Sequence, residues 1–169
     1  MTTAIAPLGP QAISMALPPT VTRALKAIGP WAGMRTFELP DTLPAGLDEL
    51  LAAATGELAA MSAPTPPEAV IQFMETFATR RGFTLPSSEV LAMDALVIAD
   101  AVPADLFPKA CEALWSTFAY RRLPEAPDFS RAIEPHLTPR RRAQAQIQTL
   151  WQKLALRAQL GAVRKTPCV

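Results

Sequence analysis

The residues able to make or break bonds are few in this chain. It holds one histidine, His136, and two cysteines, Cys111 and Cys168. A Ser-His-Asp arrangement would have to use His136, which sits between Pro135 and Leu137 in what reads as a proline-flanked connector. No third group stands nearby to orient that imidazole, so a nucleophile would go unactivated. Cys111 falls on an apolar helix face and Cys168 one residue from the end of the chain. The two build neither a disulfide framework nor, with His136, a zinc site. Phosphate loops of the GxxxxGKS or GxxxxGKT kind, GxGxxG, HExxH and CxxC do not occur. The carboxylates are scattered at helix-surface spacings, whose usual role is solvation. One of them, Asp94, interrupts an apolar run and is expected to be a partly buried member of an ion pair with Arg121, Arg122 or Tyr120. Enzyme, cofactor and metal ion are therefore not expected.

What remains is the chemistry of contact. Past Pro139, Arg140, Arg141 and Arg142 open a segment in which Ile147, Leu150, Trp151 and Leu154 line one side and Lys153 and Arg157 add charge. Glutamines fill much of the remainder. This spacing predicts an amphipathic helix of about six turns over 140–160. Its cations and apolar stripe make Arg140, Arg141, Arg142, Ile147, Leu150, Trp151, Lys153, Leu154 and Arg157 the candidate partner-binding residues.

Charge is distributed in the same sense. Residues 1–120 carry 6 basic and 12 acidic side chains, residues 121–169 carry 10 basic and 3 acidic, and no Asp or Glu follows Glu134. A basic end on an acidic body implies an acidic partner, either nucleic acid or a protein face. Half of the residues are apolar, ample for one core, and alanine is plentiful while β-branched runs are rare, which favours helices. The 18 prolines read as helix stops and linkers. No run of 18 apolar residues is present to span a membrane, and the first residues lack the basic region of a secretory signal, so a cytoplasmic protein is expected.

The elements that must position these residues follow in order. Residues 1–19, without charge and with Pro7, Pro10, Pro18 and Pro19, are expected to be a disordered tail. A short helix capped by Thr20 and stopped by Gly29-Pro30 is expected, and Trp31, Met34, Phe37 and Leu39 in the following loop are expected to clamp over the domain's own core rather than to form a binding site. A helix beginning near Pro44, with Asp41 or Thr42 as cap, carries Leu47, Leu50, Leu51, Leu58 and Met61. The next holds Val70, Phe73, Met74 and Phe77 at i, i+3, i+4 and i+7 and closes at Arg80-Arg81-Gly82. Ser87 opens a helix apolar nearly all round (Val90, Leu91, Met93, Leu96, Val97, Ile98), expected to be central and buried. After Val102-Pro103-Ala104-Asp105-Leu106, with Asp105 as cap, a helix follows whose Phe107, Cys111, Leu114, Trp115 and Phe118 anchor the core. A short segment over 127–133 precedes the last helix.

Residues 67–133 resemble the small helicase loader and inhibitor proteins of phage and prophage replication modules. The likeness rests on the acidic-apolar helix Glu89 to Asp100, the Leu-Pro-x-Asp-Leu-like step at Val102–Leu106 and the Ala/Trp-rich helix from Ala110 to Thr117. It rests also on the loop Arg122-Leu123-Pro124-Glu125-Ala126-Pro127-Asp128-Phe129. Leu123 departs from the aromatic usual before that proline, and the first 65 residues lie outside the likeness. The resemblance implies an all-helical protein without ATPase activity that binds the hexameric replicative helicase through a mobile C-terminal region.

The chain is thus expected to be all-α, a small helical bundle with a disordered N-terminus and a projecting or loosely packed basic C-terminal helix. Four segments follow: a tail at 1–19, a helical segment and loop at 20–65, a core domain at 66–134 and the basic helix and tail at 135–169. Its expected role is an adaptor that loads or regulates the replicative helicase. A DNA-binding accessory protein touching nucleic acid through the basic C-terminus, or a phage structural or assembly protein, are the alternatives.

Overall fold

The computed structural model describes residues 17–27, 39 and 42–163, and side chains as far as residue 160. Trp31, Met34, Phe37 and the tails at 1–16 and 164–169 lie outside the described residues. Among the described residues there are six helices: α1 (Pro19–Ala27), α2 (Leu47–Ala60), α3 (Pro67–Arg81), α4 (Ser88–Ala101), α5 (Phe107–Thr117) and α6 (Ala126–Val163). Among the described residues there is no β-strand, only an isolated bridge between Pro64 and Pro103. The all-α class read from the alanine-rich, weakly β-branched composition is the observed one.

Two cores share one long helix. In the first, Val70, Phe73, Met74 and Phe77 of α3 meet Leu91, Ala95 and Ile98 of α4 and Phe107, Ala110 and Leu114 of α5. Phe129, Ile133 and Leu137 of α6 close it. Aromatic rings dominate this core. Phe73 lies 5.5 Å from both Phe77 and Phe129, and Phe107 stacks on Phe129 at 6.0 Å. In the second core, Val21 and Ala24 of α1 and Leu47, Leu51, Ala54 and Leu58 of α2 meet Ala143, Ile147 and Leu150 of α6. Leu17 and Leu39 also pack there, so the last residues of the stretch expected as a tail belong to the helical body.

Helix α6 is the main departure from expectation. The segment at 127–133, the connector holding His136 and the basic helix are one helix of 38 residues with Pro135 and Pro139 inside it. Each proline removes an amide and crowds the carbonyl four residues back. Arg131, Pro135 and Pro139 are all exposed and share one face at i, i+4 and i+8, so the carbonyls that lose their donors turn to water. Opening the solvent side is also the direction in which surface helices curve around a core. The cost of two prolines is met by the apolar stripe on the opposite face, which touches both cores.

Helix ends are set locally. Ser87 Oγ accepts the Val90 N–H at 3.4 Å as the expected cap of α4, and Gly82 closes α3 at φ 70°, a left-handed angle suited to glycine. Helix α2 starts at Leu47 behind Gly46 rather than near Pro44. Asp105 caps nothing, because its carboxylate is taken up elsewhere. Between the helices, Thr65 is buried; its Oγ1 donates to the Val102 carbonyl at 2.6 Å and its N–H to the Ala99 carbonyl at 3.1 Å. That pairing ties the α2–α3 linker to the α4–α5 turn. Phe129, with no exposed surface in the middle of the ring cluster, is the side chain the first core can least spare. Phe129→Ala is expected to cost about 3–5 kcal/mol in urea unfolding, while the exposed Tyr120→Ala should change the midpoint little.

Candidate functional site

The residues proposed for partner binding are positioned mainly by the second core and by ion pairs within the chain. Arg140 is buried, 8% exposed, in the middle of the α6 stripe. Its Nη1 donates to the Met61 carbonyl at 3.0 Å and to Asp105 Oδ1 at 2.9 Å, and its Nη2 donates to Asp105 Oδ2. Arg141 is exposed and pairs with Glu134 at 3.3 Å. Ile147 and Leu150 are buried in the second core; Trp151 and Leu154 are half-buried against it. The Trp151 Nε1–H donates to Thr55 Oγ1 at 3.2 Å. The expected projecting rod is therefore docked over 140–154, because its apolar stripe is the missing wall of the α1–α2 core. Arg142 and Arg157 are exposed and Lys153 is half-buried. A groove of about 410 Å³ between α2 and α6 lies beside Trp151, with Gln148 and Gln152 at its rim.

Helix α4 shows the opposite error. Expected to be central, it buries only Leu91, Ala95, Ile98 and Ala99. Val90, Met93, Leu96 and Val97 are 47%, 69%, 59% and 61% exposed. Steps of three and four residues link Val90 to Met93 and Met93 to both Leu96 and Val97, so they form one continuous surface. Asp94 is exposed on the same helix, and among the described residues no ion pair engages it; its expected partner Arg122 bonds Asp128 instead, at 2.7 Å. Glu89, Asp94 and Asp100 are the charged residues of α4, and it contains no Lys or Arg. An apolar surface on a helix whose charged residues are all carboxylates suits a partner that is greasy at its centre and cationic at its edges.

Burial pushes the Cys111 thiol up to about 12, so it carries almost no thiolate at neutral pH. Among the described residues no group of three or more His, Cys, Asp or Glu side chains could hold a metal ion, and no helix is long and apolar enough to cross a membrane. The strongest local electrostatics belong to the start of α6. There the buried Asp128 accepts from Arg122 Nη1 at 2.7 Å and from the Glu125 N–H at 2.9 Å. Burial by itself would raise this carboxyl. The Arg122 and Glu125 hydrogen bonds, with the charges of Arg122 and Arg131, outweigh it and hold Asp128 below the usual carboxylate range. Asp128 in turn holds the Arg122 guanidinium further protonated.

No protein-family model, curated protein or solved structure matches the chain.

Two measurements follow from this geometry. Arg140→Ala is expected to lower stability by about 2–3 kcal/mol in urea unfolding, since it strands the Met61 carbonyl and an acidic partner. Arg142→Ala should stay within about 0.5 kcal/mol. The carboxyl of Asp128 is depressed in the folded state, so its stabilisation is complete above the ordinary carboxylate range near pH 4 and disappears as pH falls through the folded value. The urea midpoint of the wild type should accordingly drop more steeply below about pH 4 than that of Asp128→Asn, which is expected to be the less stable protein at pH 7.

Proposed function

We propose that this chain acts by binding, as an adaptor that docks a partner protein on the outer face of α4. The observation that carries the reading is the exposure of Val90, Met93, Leu96 and Val97 on a helix whose other face is packed. A helix interior this apolar is unusual on an unoccupied surface, and covering it removes a cluster of aliphatic side chains from water. The fitting occupant is an amphipathic helix whose apolar stripe seats on Met93 and Val97 and whose basic edges meet Glu89, Asp94 and Asp100.

The resemblance supplies the partner. Helix α4 is its acidic-apolar helix, so the hexameric replicative helicase is the proposed occupant and phage or prophage DNA replication, in the cytoplasm, the proposed setting. With no phosphate loop in the chain, action would come from preferring one state of the ring over another rather than from nucleotide hydrolysis. The docked position of Ile147, Leu150 and Trp151 moves the proposed contact from the C-terminal helix to α4.

Titration of the purified host helicase with this protein, followed by sedimentation, tests the proposal. Met93→Glu and Val97→Glu are expected to leave the unfolding midpoint almost unchanged and to lower the affinity at least about ten-fold. Equal affinity of wild type and both variants would remove α4 from the contact, and failure of the wild type to bind would remove the helicase.

A further inference from the structure

Arginines from two separate parts of the sequence converge on one aromatic patch. At the end of α3, Arg81 Cζ lies 5.3 Å from the centre of the Phe77 ring, and Arg80 Cζ lies 5.9 Å from that of Trp115. Phe77 stands 4.8 Å from Trp115 and 5.8 Å from Phe118. Beyond α5, Phe118 meets Tyr120 edge-on at 5.2 Å, and Arg122 covers both rings at 5.5 and 5.3 Å. Arg121 is exposed between Tyr120 and Arg122, and Tyr120 itself is 58% exposed. The ion pairs of this region engage Arg122, with Asp128 and Glu125. Among the described residues, none joins Arg80, Arg81 or Arg121 to a carboxylate.

We propose that this patch, formed by Arg80, Arg81, Tyr120, Arg121 and Arg122, is a binding site for single-stranded nucleic acid. Three guanidiniums without a carboxylate partner among the described residues form a local positive field, which calls for an anion with several charges in sequence. Ring contacts position Arg80, Arg81 and Arg122. Arg81 Nη2 also donates to the Trp115 carbonyl at 2.9 Å, and Arg122 Nη1 donates to the Leu123 carbonyl and to Asp128, so Arg80 and Arg121, with the remaining N–H groups of Arg81, are the donors left for phosphate oxygens. The half-exposed phenol of Tyr120 adds a flat apolar face, which an unpaired base can stack on and a base inside a duplex cannot. The patch is made by a helix C-terminus and a loop, with no element projecting to enter a duplex groove. It is separate from the α4 face and does not depend on the adaptor reading.

The test is fluorescence anisotropy of the full chain with a labelled oligo-deoxythymidine of about 20 nucleotides, between about 50 and 200 mM salt. A duplex of the same length and polyglutamate serve as the competing probes. Saturable binding is expected for the single strand, with affinity falling by about 0.7 log units per log unit of salt for each phosphate contacted. Arg80→Gln combined with Arg121→Gln should flatten that slope by about 1.4. Tyr120→Ala should weaken binding about five-fold or more, with Tyr120→Phe retaining it. Met93→Glu should leave oligonucleotide binding unchanged, which separates this site from α4. Three results would each overturn the assignment: no binding at the lowest salt, equal or tighter binding of the duplex or polyglutamate, or full affinity in both the double arginine variant and Tyr120→Ala. Arg80, Arg121 and Tyr120 are all solvent-exposed, so their variants are expected to fold and the binding readout stays informative.

Discussion

The buried guanidinium of Arg140 is the constraint to which the rest of the arrangement answers. It lies at the point on α6 where the stripe passes from the first core, ending at Leu137, to the second, beginning at Ala143. Its partners come from two further places, the carbonyl at the end of α2 and the carboxylate in the α4–α5 turn. A charge removed from water there is tolerable only when both partners are in place. Apolar surfaces alone would accept small slides of α6 along the two cores, because burial is not directional. We read the Arg140 clasp as the contact that selects one register, its Coulomb attraction largely offset by desolvation.

That clasp explains why the C-terminal segment is part of the body. The helical periodicity over 147–154 is legible in the sequence, and so is the apolar stripe before it: Phe129, Ile133 and Leu137 continue to Ala143, Ile147 and Leu150 at steps of three and four once Arg140 is admitted. Two habits of reading hide this continuity. Prolines at 135 and 139 count as stops, although a proline on the water-facing side costs a carbonyl that water can satisfy. Arginines count as surface, although one with a bidentate carboxylate can be interior. The spacing held the answer, and residue type concealed it.

Helix α4 misleads for a different reason. Apolar residues on every side describe either a buried helix or one with a packed face and a waiting face, and periodicity cannot separate these. Alanine decides the matter physically. The buried side uses Ala95 and Ala99 beside Leu91 and Ile98, a close-packing surface, while the large Met93 and Leu96 point outward. Glu89, Asp94 and Asp100 all fall on the exposed side of the helix, away from Leu91, Ala95 and Ile98, and that was the available signal, since a helix enclosed on all sides would leave them unsolvated. The Gly82 end of α3, the Ser87 start of α4 and the aromatic anchor of α5 were readable because each follows from local chemistry, whereas the starts of α2 and α6 were not.

The motif that carried the family resemblance has a structural occupation. Pro124 is buried, Asp128 binds the Glu125 amide and Arg122 at the start of α6, and Phe129 has no exposed surface. Such residues specify a fold and leave its use open. Use has to be sought where the fold leaves chemistry unspent, and that happens in two places of opposite character. One is the apolar face of α4, a helix whose charged residues are all carboxylates; the other is the arginine-aromatic patch at the end of α3 and the loop after α5. The connection from α3 to α4 runs from one to the other, from Arg80 and Arg81 through Gly82 to Ser87 and on to Glu89 and Val90. A cationic, greasy helix and a polyanion would each be repelled by the other's site, so the charges sort the two partners without competition.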